Sequence, residues 1–399
     1  SEALRTDGNF EAATEFYKAH REEMDEGAEI SWDARYNHDE ISALQHAMNL
    51  KLQDEAAFNA EYQNEPLPEE LSTDDLMSVD EIAGKVSGLA HGRVPLACDK
   101  LTMFIDVQKA LLFYVVAAWS ENFTGAVIDY GAWPDQHRRQ FSLPDANPTI
   151  QTAFPKAGFE GALYAALDAL TKDYLSREWE REDGAMLKIE KALIDANWGQ
   201  STDIIYQFCR QSVHAGVLLP SHGRYVGASS KPMTEYRKQP GDRLGLNWMM
   251  PNVAGKRAIR HVVYDSNYWK SFIHARLAVP LGDKGSLSLY GRLPGIHQLY
   301  AEHLTAEYRV KTQGRGRWVD EWKLKPDRTD NHWLDCTAGC AVCASMLGAT
   351  LPELGLARAP AKPRIKLSAR LNGTASTAES VPASSGRMKL SELRRMKND

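Results

Sequence analysis

Long apolar segments are missing from this sequence of 399 residues. Its longest fully apolar run, ALLFYVVAAW, is far shorter than the roughly 20 residues that span a bilayer. The first residues are polar and acidic, so no secretory signal is expected. The sequence therefore predicts a protein without a membrane partner.

Cysteine is scarce, and its odd count of five offers no framework of disulfides, which favours a reducing cytoplasm. The segment CAVC, which contains Cys340 and Cys343, looks like half of a zinc site. Cys336 stands four residues earlier on the same Ala-rich segment, and no second CxxC or histidine pair follows. We therefore expect these three cysteines to pack in the core as small apolar side chains.

Three common catalytic motifs are also absent. No GxxxxGK[ST] loop is present, so we expect no ATPase site on this chain. HExxH and GxSxG are absent as well, which removes the usual signals of a zinc protease and of a serine hydrolase. Carboxylates are the remaining candidates for chemistry.

Charge is distributed unevenly along the chain. Residues 1–90 carry 6 Lys and Arg against 22 Asp and Glu, whereas residues 351–399 carry 10 against 4. The tail is also rich in Ala, Pro, Ser and Lys and poor in core-forming residues. We expect an acidic helical connector module at 1–90, an α/β domain at 91–350, and a disordered basic tail at 351–399.

The central part of the sequence shows a recognisable order of elements. LTMFIDVQ, LLFYVVAAWS and TGAVIDYG are closely spaced β-rich runs that indicate an antiparallel meander. A helical stretch, a fourth strand in MLKIEKALIDANWG, and the helix STDIIYQFCRQS with Ser201 as its N-cap follow. This order predicts an α/β protein with a ribonuclease H-like mixed sheet flanked by helices.

Three aspartates stand where such a fold could bring them together. Asp106 lies in the first strand, Asp195 ends the fourth, and Asp335 lies in the last helix, DNHWLDCTAGCAVCASML. A cluster of like charges needs cations, and hard oxygen ligands select Mg²⁺ or Mn²⁺. Asp129 in VIDYG also closes a strand and remains an alternative to Asp195. Each aspartate taken alone could equally cap a turn or pair with a neighbour.

Two basic groups offer a surface for DNA phosphates. The first lies at the Gly/Arg tip of the predicted hairpin AEYRVKTQGRGRWVDEWKLK, and the second lies in the segment AGKRAIR. Solvated surface charge is the alternative for both groups. The residues concerned are Lys311, Arg315 and Arg317 in the first group, and Lys256, Arg257 and Arg260 in the second.

Several segments, taken in order, resemble the large subunit of lambda-type phage terminases. The region that joins motor to nuclease in that family is similar to three segments of this chain, AATEFYKAHREEMDEGAEISW, SALQHAMN and FNAEYQNEP. FIDVQKALLFYVVAAW, AVIDYGAWP and ALIDANWGQSTDIIYQFCR are similar to its nuclease strands. LTAEYRV and NHWLDCTAGCAVCASMLG are similar to its closing hairpin and helix.

The resemblance implies a metal-dependent endonuclease that cuts concatemeric double-stranded DNA in the cytoplasm of a phage-infected or prophage-carrying host. Asp106, Asp195 and Asp335 fall on the family's acidic positions, with two Mg²⁺ or Mn²⁺ ions as cofactors. His332 stands where a glutamate is expected, so it would take that residue's part at the metal. The terminase small subunit and the portal are the implied partners.

Two other functions remain open from the sequence. The domain could be a non-catalytic docking module that seats the motor on the portal or on the small subunit. It could also be another ribonuclease H-like nuclease, such as a resolvase or a transposase. Metal-dependent nicking of a plasmid separates docking from catalysis.

Overall fold

A mixed sheet of nine strands is the centre of the computed structural model, which describes residues 10–28, 30, 32–53, 76–252, 259–326 and 328–351. The strands in chain order are β1 (Lys100–Val107), β2 (Leu112–Trp119), β3 (Gly125–Trp133), β4 (Trp179–Glu180), β5 (Met186–Leu187), β6 (Lys191–Asp195), β7 (Leu218–Arg224), β8 (Arg243–Gly245), β9 (Trp248–Met250), β10 (Val262–Asp265), β11 (Leu287–Leu289), β12 (Glu307–Gly314) and β13 (Arg317–Leu324).

Ten α-helices accompany these strands within the same described ranges. They are α1 (Phe10–Ala19), α2 (Arg21–Met24), α3 (Ala43–Gln53), α4 (Val79–Ala83), α5 (Ile150–Ala153), α6 (Phe159–Ser176), α7 (Thr202–Gln211), α8 (Ser266–Ala278), α9 (Gln298–Leu304) and α10 (His332–Met346). Short 3-10 turns occur at Met233–Glu235 and Pro294–His297. Among the described residues, no helix combines the length and the apolar character needed to cross a bilayer.

The strand order of the large sheet is β11-β3-β2-β1-β6-β7-β10-β9-β8. β1, β2 and β3 form an antiparallel meander, and β6, β7 and β10 run parallel to β1. The first and fourth predicted strands therefore lie side by side and parallel. This arrangement confirms the predicted ribonuclease H-like mixed sheet. β4 pairs with β5 and β12 pairs with β13 in two separate hairpins.

Helices cover both faces of the sheet, because successive strand residues point to opposite sides. Phe104 and Val115 belong to one buried cluster, which includes residues of α8 and α10. Met103 and Val116 belong to a second cluster, with residues of α6 and α7. We call these the α10 face and the α6 face. Asp106, two residues after Phe104, lies on the α10 face.

A β-bulge in β3 changes the direction of one of the candidate aspartates. Val116 of β2 pairs with Asp129, but the next residue, Ala117, pairs with Val127, so Ile128 is an extra residue in the ladder. An extra residue shifts the alternation of the side chains by one position. Asp129 consequently lies on the α6 face, opposite Asp106.

Helix α10 lies very close to β1. A Cβ atom at Gly339 would stand 1.8 Å from Cδ2 of Phe104, so only glycine permits this approach. Cys336, Cys340 and Cys343 are buried on the same helix with free thiols. The prediction that these cysteines pack in the core is confirmed.

Some local predictions differ from the structure. The segment predicted as one fourth strand forms two short ones, β5 and β6, and strands β7 to β10 were not predicted. Ser201 precedes α7, but its hydroxyl makes no capping bond and donates to the carbonyl of Trp198 at 2.8 Å. Ser201 is thus the N-cap residue of α7, as predicted, but without the side-chain capping bond.

Residues 352–399 lie outside the described residues, and with them all of the predicted disordered tail except Leu351. The boundary predicted near residue 90 stays a prediction. Ile82 and Ala83 of α4 are buried in the cluster of the α10 face.

Candidate active site

A cavity of about 230 Å³ opens at the carboxyl ends of four neighbouring parallel strands, β1, β6, β7 and β10. Asp106, Asp195 and Asp335 all line it, together with Lys270. Asp106 stands one residue before the end of β1, and Asp195 is the last residue of β6. Asp335 lies in the first turn of α10, which crosses the same strand ends. The structure brings together the three aspartates named from the sequence.

The three carboxylates interact electrostatically. Burial raises the pKa of Asp195 well above its usual range, and the charges of Asp106 and Asp335 raise it further. Burial also raises the pKa of Asp335, with Glu307 and Asp106 acting in the same direction and Lys270 opposing them. The cavity therefore concentrates negative charge that a cation would relieve.

Lys270 is a functional candidate that the sequence did not reveal. Its Nζ lies 2.5 Å from Glu307 Oε1 and 3.0 Å from Asp335 Oδ1. Burial alone would lower the pKa of Lys270, but the two carboxylates outweigh this effect and raise it. Asn331 donates to Glu307 Oε1 and, at 3.3 Å, to Asp335 Oδ2. This lysine is thus the resident cation beside Asp335.

His332 contacts Asp106 but does not itself line the cavity. Its Nδ1 lies 2.7 Å from Asp106 Oδ2, and its ring stacks on Phe113 with centroids 4.3 Å apart. Burial by itself lowers the pKa of His332, but the hydrogen bond to Asp106 and its charge outweigh burial and raise it. Gln108 Nε2 donates to both oxygens of Asp106, at 3.1 and 3.2 Å. These two neighbours fix the orientation of the carboxylate.

The donor chemistry of the cavity fits a divalent cation of the Mg²⁺ or Mn²⁺ type, because the three carboxylates offer hard oxygens to a shared space. Within the described ranges, however, no three acidic, histidine or cysteine side chains stand close enough to hold one ion as they are. Asp335 keeps 34% of its side-chain surface accessible, and Lys270 occupies one side of it.

Asp129 does not reach this cavity. It lies on the α6 face, 2% exposed, with Oδ1 2.8 Å from His91 Nε2 and Oδ2 3.9 Å from Arg177 Nη1. The bulge in β3 explains this placement, which the sequence pattern could not show.

The basic residues named from the sequence have different environments. At the hairpin tip, Lys311 and Arg315 are exposed, and Trp318 keeps 67% of its surface accessible. Arg317 instead donates to the carbonyls of Gly227 at 3.0 Å and Ser230 at 2.6 Å. In the second group Arg260 is half-buried, whereas Lys256 and Arg257 lie outside the described residues.

Comparisons with known proteins identify the family of the chain. No curated protein is significantly similar to the chain. Among solved structures, a mutant of the nuclease domain of the large terminase subunit gp2 of bacterial virus Sf6, with manganese, is 12% identical. The alignment covers 66% of this chain and 98% of that chain with a TM-score of 0.33, so the fold assignment rests on the strand order given above. The family described as terminase large subunit gpA, endonuclease domain, matches residues 49–354. The chain belongs to this family of terminase endonuclease domains.

Proposed function

We propose that the chain is the metal-dependent endonuclease of a phage packaging terminase and that it cuts concatemeric double-stranded DNA. The observation that carries the proposal is the meeting of Asp106, Asp195 and Asp335 in one cavity. These carboxylates come from three separate elements, and their mutual repulsion is a cost that a structural role does not explain.

Asp106, Asp195 and Asp335 would hold two Mg²⁺ or Mn²⁺ ions in this cavity. Bound there, such ions lower the pKa of an attacking water and stabilise the leaving oxygen of a phosphodiester. Asp106 is oriented for this purpose by His332 and Gln108.

Lys270 has a different part in the proposed site. Its ammonium neutralises Asp335 and Glu307, which would otherwise repel each other at close range. Lys270 lines the same cavity as the aspartates, so its ammonium would also be placed to donate to a non-bridging phosphate oxygen of DNA bound there.

DNA would approach along the exposed hairpin tip. Lys311 and Arg315 would contact DNA phosphates without reading sequence. The second basic group, Lys256, Arg257 and Arg260, would add further phosphate contacts. Arg317 would act mainly by holding the hairpin against the loop after β7. The terminase small subunit and the portal are the proposed protein partners, and the host cytoplasm is the proposed location.

Plasmid nicking by the purified chain tests the proposal. We expect conversion of supercoiled plasmid to nicked and linear forms with Mg²⁺ or Mn²⁺, and none with EDTA. Asp106→Asn should abolish conversion. Asp129→Asn is the matched control, because it removes a buried aspartate of the same sheet that faces away from the cavity.

Two outcomes would contradict the proposal. Cleavage that persists in EDTA would exclude the metal-dependent mechanism. A folded wild-type chain that binds DNA, small subunit or portal but never cuts would indicate a docking module instead.

A further inference from the structure

The candidate cavity is also lined by four residues without a charged side chain. They are Asn197, Gly223, Tyr225 and Ser266. Because they share the cavity with the three aspartates, DNA cut there under the proposed function would pass close to them.

Tyr225 contributes an aromatic ring to this lining. The residue is 54% exposed, and its hydroxyl donates to Glu321 Oε2 at 2.7 Å. The other carboxylate oxygen of Glu321 accepts from the backbone N–H of Ala228 at 2.8 Å. One side chain of the hairpin thus holds both the ring and the loop that follows it.

The packing around this contact leaves little room for another arrangement. A Cβ at Gly227 would stand 2.5 Å from Glu321 Oε1 and 3.2 Å from Cε1 of Tyr225. A Cβ at Gly314 of the hairpin would stand 2.9 Å from the carbonyl carbon of Ala228. The hairpin and the loop after β7 therefore meet through close backbone contact, which keeps the ring at the mouth of the cavity.

We propose that Tyr225 forms a subsite for the deoxyribose next to the scissile phosphate, and that Glu321 is the positioning residue that holds the ring there. In a duplex the bases are paired and stacked, so the sugar is the apolar group that a ring beside the backbone meets first. An aromatic face packs on such a group without reading sequence. This inference rests on the proposed nuclease function.

Four variants test the subsite in metal-dependent cleavage of a 5′-labelled duplex oligonucleotide. Tyr225→Ala should lower kcat about tenfold, equivalent to about 1.4 kcal/mol, because the scissile phosphate is less well held in place. KM should change little, because distant phosphate contacts dominate DNA affinity. Tyr225→Phe keeps the ring and should lose less than Tyr225→Ala.

Two substitutions of Glu321 distinguish its role in positioning Tyr225 from the effect of its charge. Glu321→Gln and Glu321→Ala both remove the negative charge, but only the glutamine can still bond to Tyr225 and to the Ala228 N–H. The alanine variant should therefore lose more activity than the glutamine variant. Tyr36→Ala, at another exposed tyrosine that does not line the cavity, should retain the wild-type kcat. Melting temperatures would check that every variant is folded.

Modified substrates identify the group that Tyr225 contacts. A tetrahydrofuran abasic residue keeps the sugar ring but lacks the base, whereas a three-carbon spacer lacks both. Wild-type protein should cut less often beside the spacer than beside the abasic residue, and Tyr225→Ala should cut equally beside the two. If wild-type protein cuts less often beside the abasic residue than beside an intact nucleotide, Tyr225 contacts the base and the sugar assignment is wrong.

The remaining outcomes distinguish the subsite from the function on which it rests. If wild-type protein cuts nothing with Mg²⁺ or Mn²⁺, the nuclease proposal fails and the subsite fails with it. If wild-type protein cuts but Tyr225→Ala cuts equally fast, the subsite alone is wrong. If the variant is slower yet shows the wild-type pattern on the modified substrates, Tyr225 supports the fold of the loop and does not bind the sugar.

Discussion

Lys270→Met should strongly destabilise the metal-free protein, because it leaves Glu307 and Asp335 without their shared cation. The ammonium lies 3.0 Å from Asp335 Oδ1, and Lys270 and Glu307 are both nearly buried. At an effective dielectric constant of about 20, two unit charges at this distance attract each other by about 5–6 kcal/mol. Desolvation of the ammonium offsets part of this attraction, but removing one partner of a buried pair still costs about 3–5 kcal/mol.

The measurement is urea unfolding at pH 7 in EDTA. Lys188→Met is a matched control, because Lys188 forms an exposed pair with Glu178, with 61% and 53% of their side-chain surfaces accessible. Exposed pairs contribute less than about 1 kcal/mol. At a concentration about 100 times the wild-type Kd, Mn²⁺ should add about 2.7 kcal/mol to wild-type protein if the ion binds only the folded state. At this same concentration we expect a larger gain for the Lys270 variant, because no ammonium competes with the ion.

Two results would refute this reasoning. The first is a loss of stability for Lys270→Met that does not exceed the loss for Lys188→Met, since it would mean that the carboxylates need no cation. The second is an equal gain from Mn²⁺ in variant and wild-type protein, which would mean that the lysine and the ion do not share a site.

Three further predictions concern other parts of the molecule. Asp195→Asn should stabilise the metal-free protein at pH 7, because burial and neighbouring charges raise the pKa of Asp195 and so penalise its ionised form in the folded state. This gain in the free energy of unfolding should disappear as the pH falls below the unfolded pKa of about 3.9, because Asp195 is then protonated in both states. A gain in urea unfolding that does not change with pH would contradict this reasoning. Lys311→Glu should reduce the slope of log K for DNA binding against log salt concentration by about 0.9 per lost phosphate contact. Lys172→Glu, at an exposed position of α6, should leave this slope unchanged. Equal slopes for the two variants would mean that DNA does not bind at the hairpin. Gly339→Ala should destabilise the fold by about 1–3 kcal/mol or more by overpacking Phe104, and an unchanged melting temperature would disprove the close approach of α10 to β1.

The strands that could be predicted from the sequence are those with uninterrupted apolar runs. β2 is buried along its whole length, and β1 is buried from its second residue onward. β7 was missed because its sequence, LLPSHGR, contains a proline, a histidine and a glycine, and none of these favours a strand. Its neighbours decide its conformation, since Pro220 pairs in register with Ile194 of β6.

The site was predictable only as far as strand pairing determines it. Asp106 and Asp195 could be placed together because parallel strands end at the same sheet edge. Asp129 could not be separated from Asp195, because a β-bulge is not visible in the alternation of a short apolar run. Lys270 was missed because a lysine in a helix is expected to be exposed to solvent. Its two carboxylate partners, Glu307 and Asp335, lie far away in the sequence.

The sequence distance between the parts of the cavity has a consequence for when nuclease activity can arise. His332 and Asp106 meet although they are 226 residues apart. Contacts of such long range are slow to form, and α10 leaves the ribosome well after β1 and β6. A nascent or proteolysed chain therefore carries isolated aspartates and no acidic cluster. Under the proposed function, the DNA-cutting site therefore does not exist until the whole domain has been synthesised and folded.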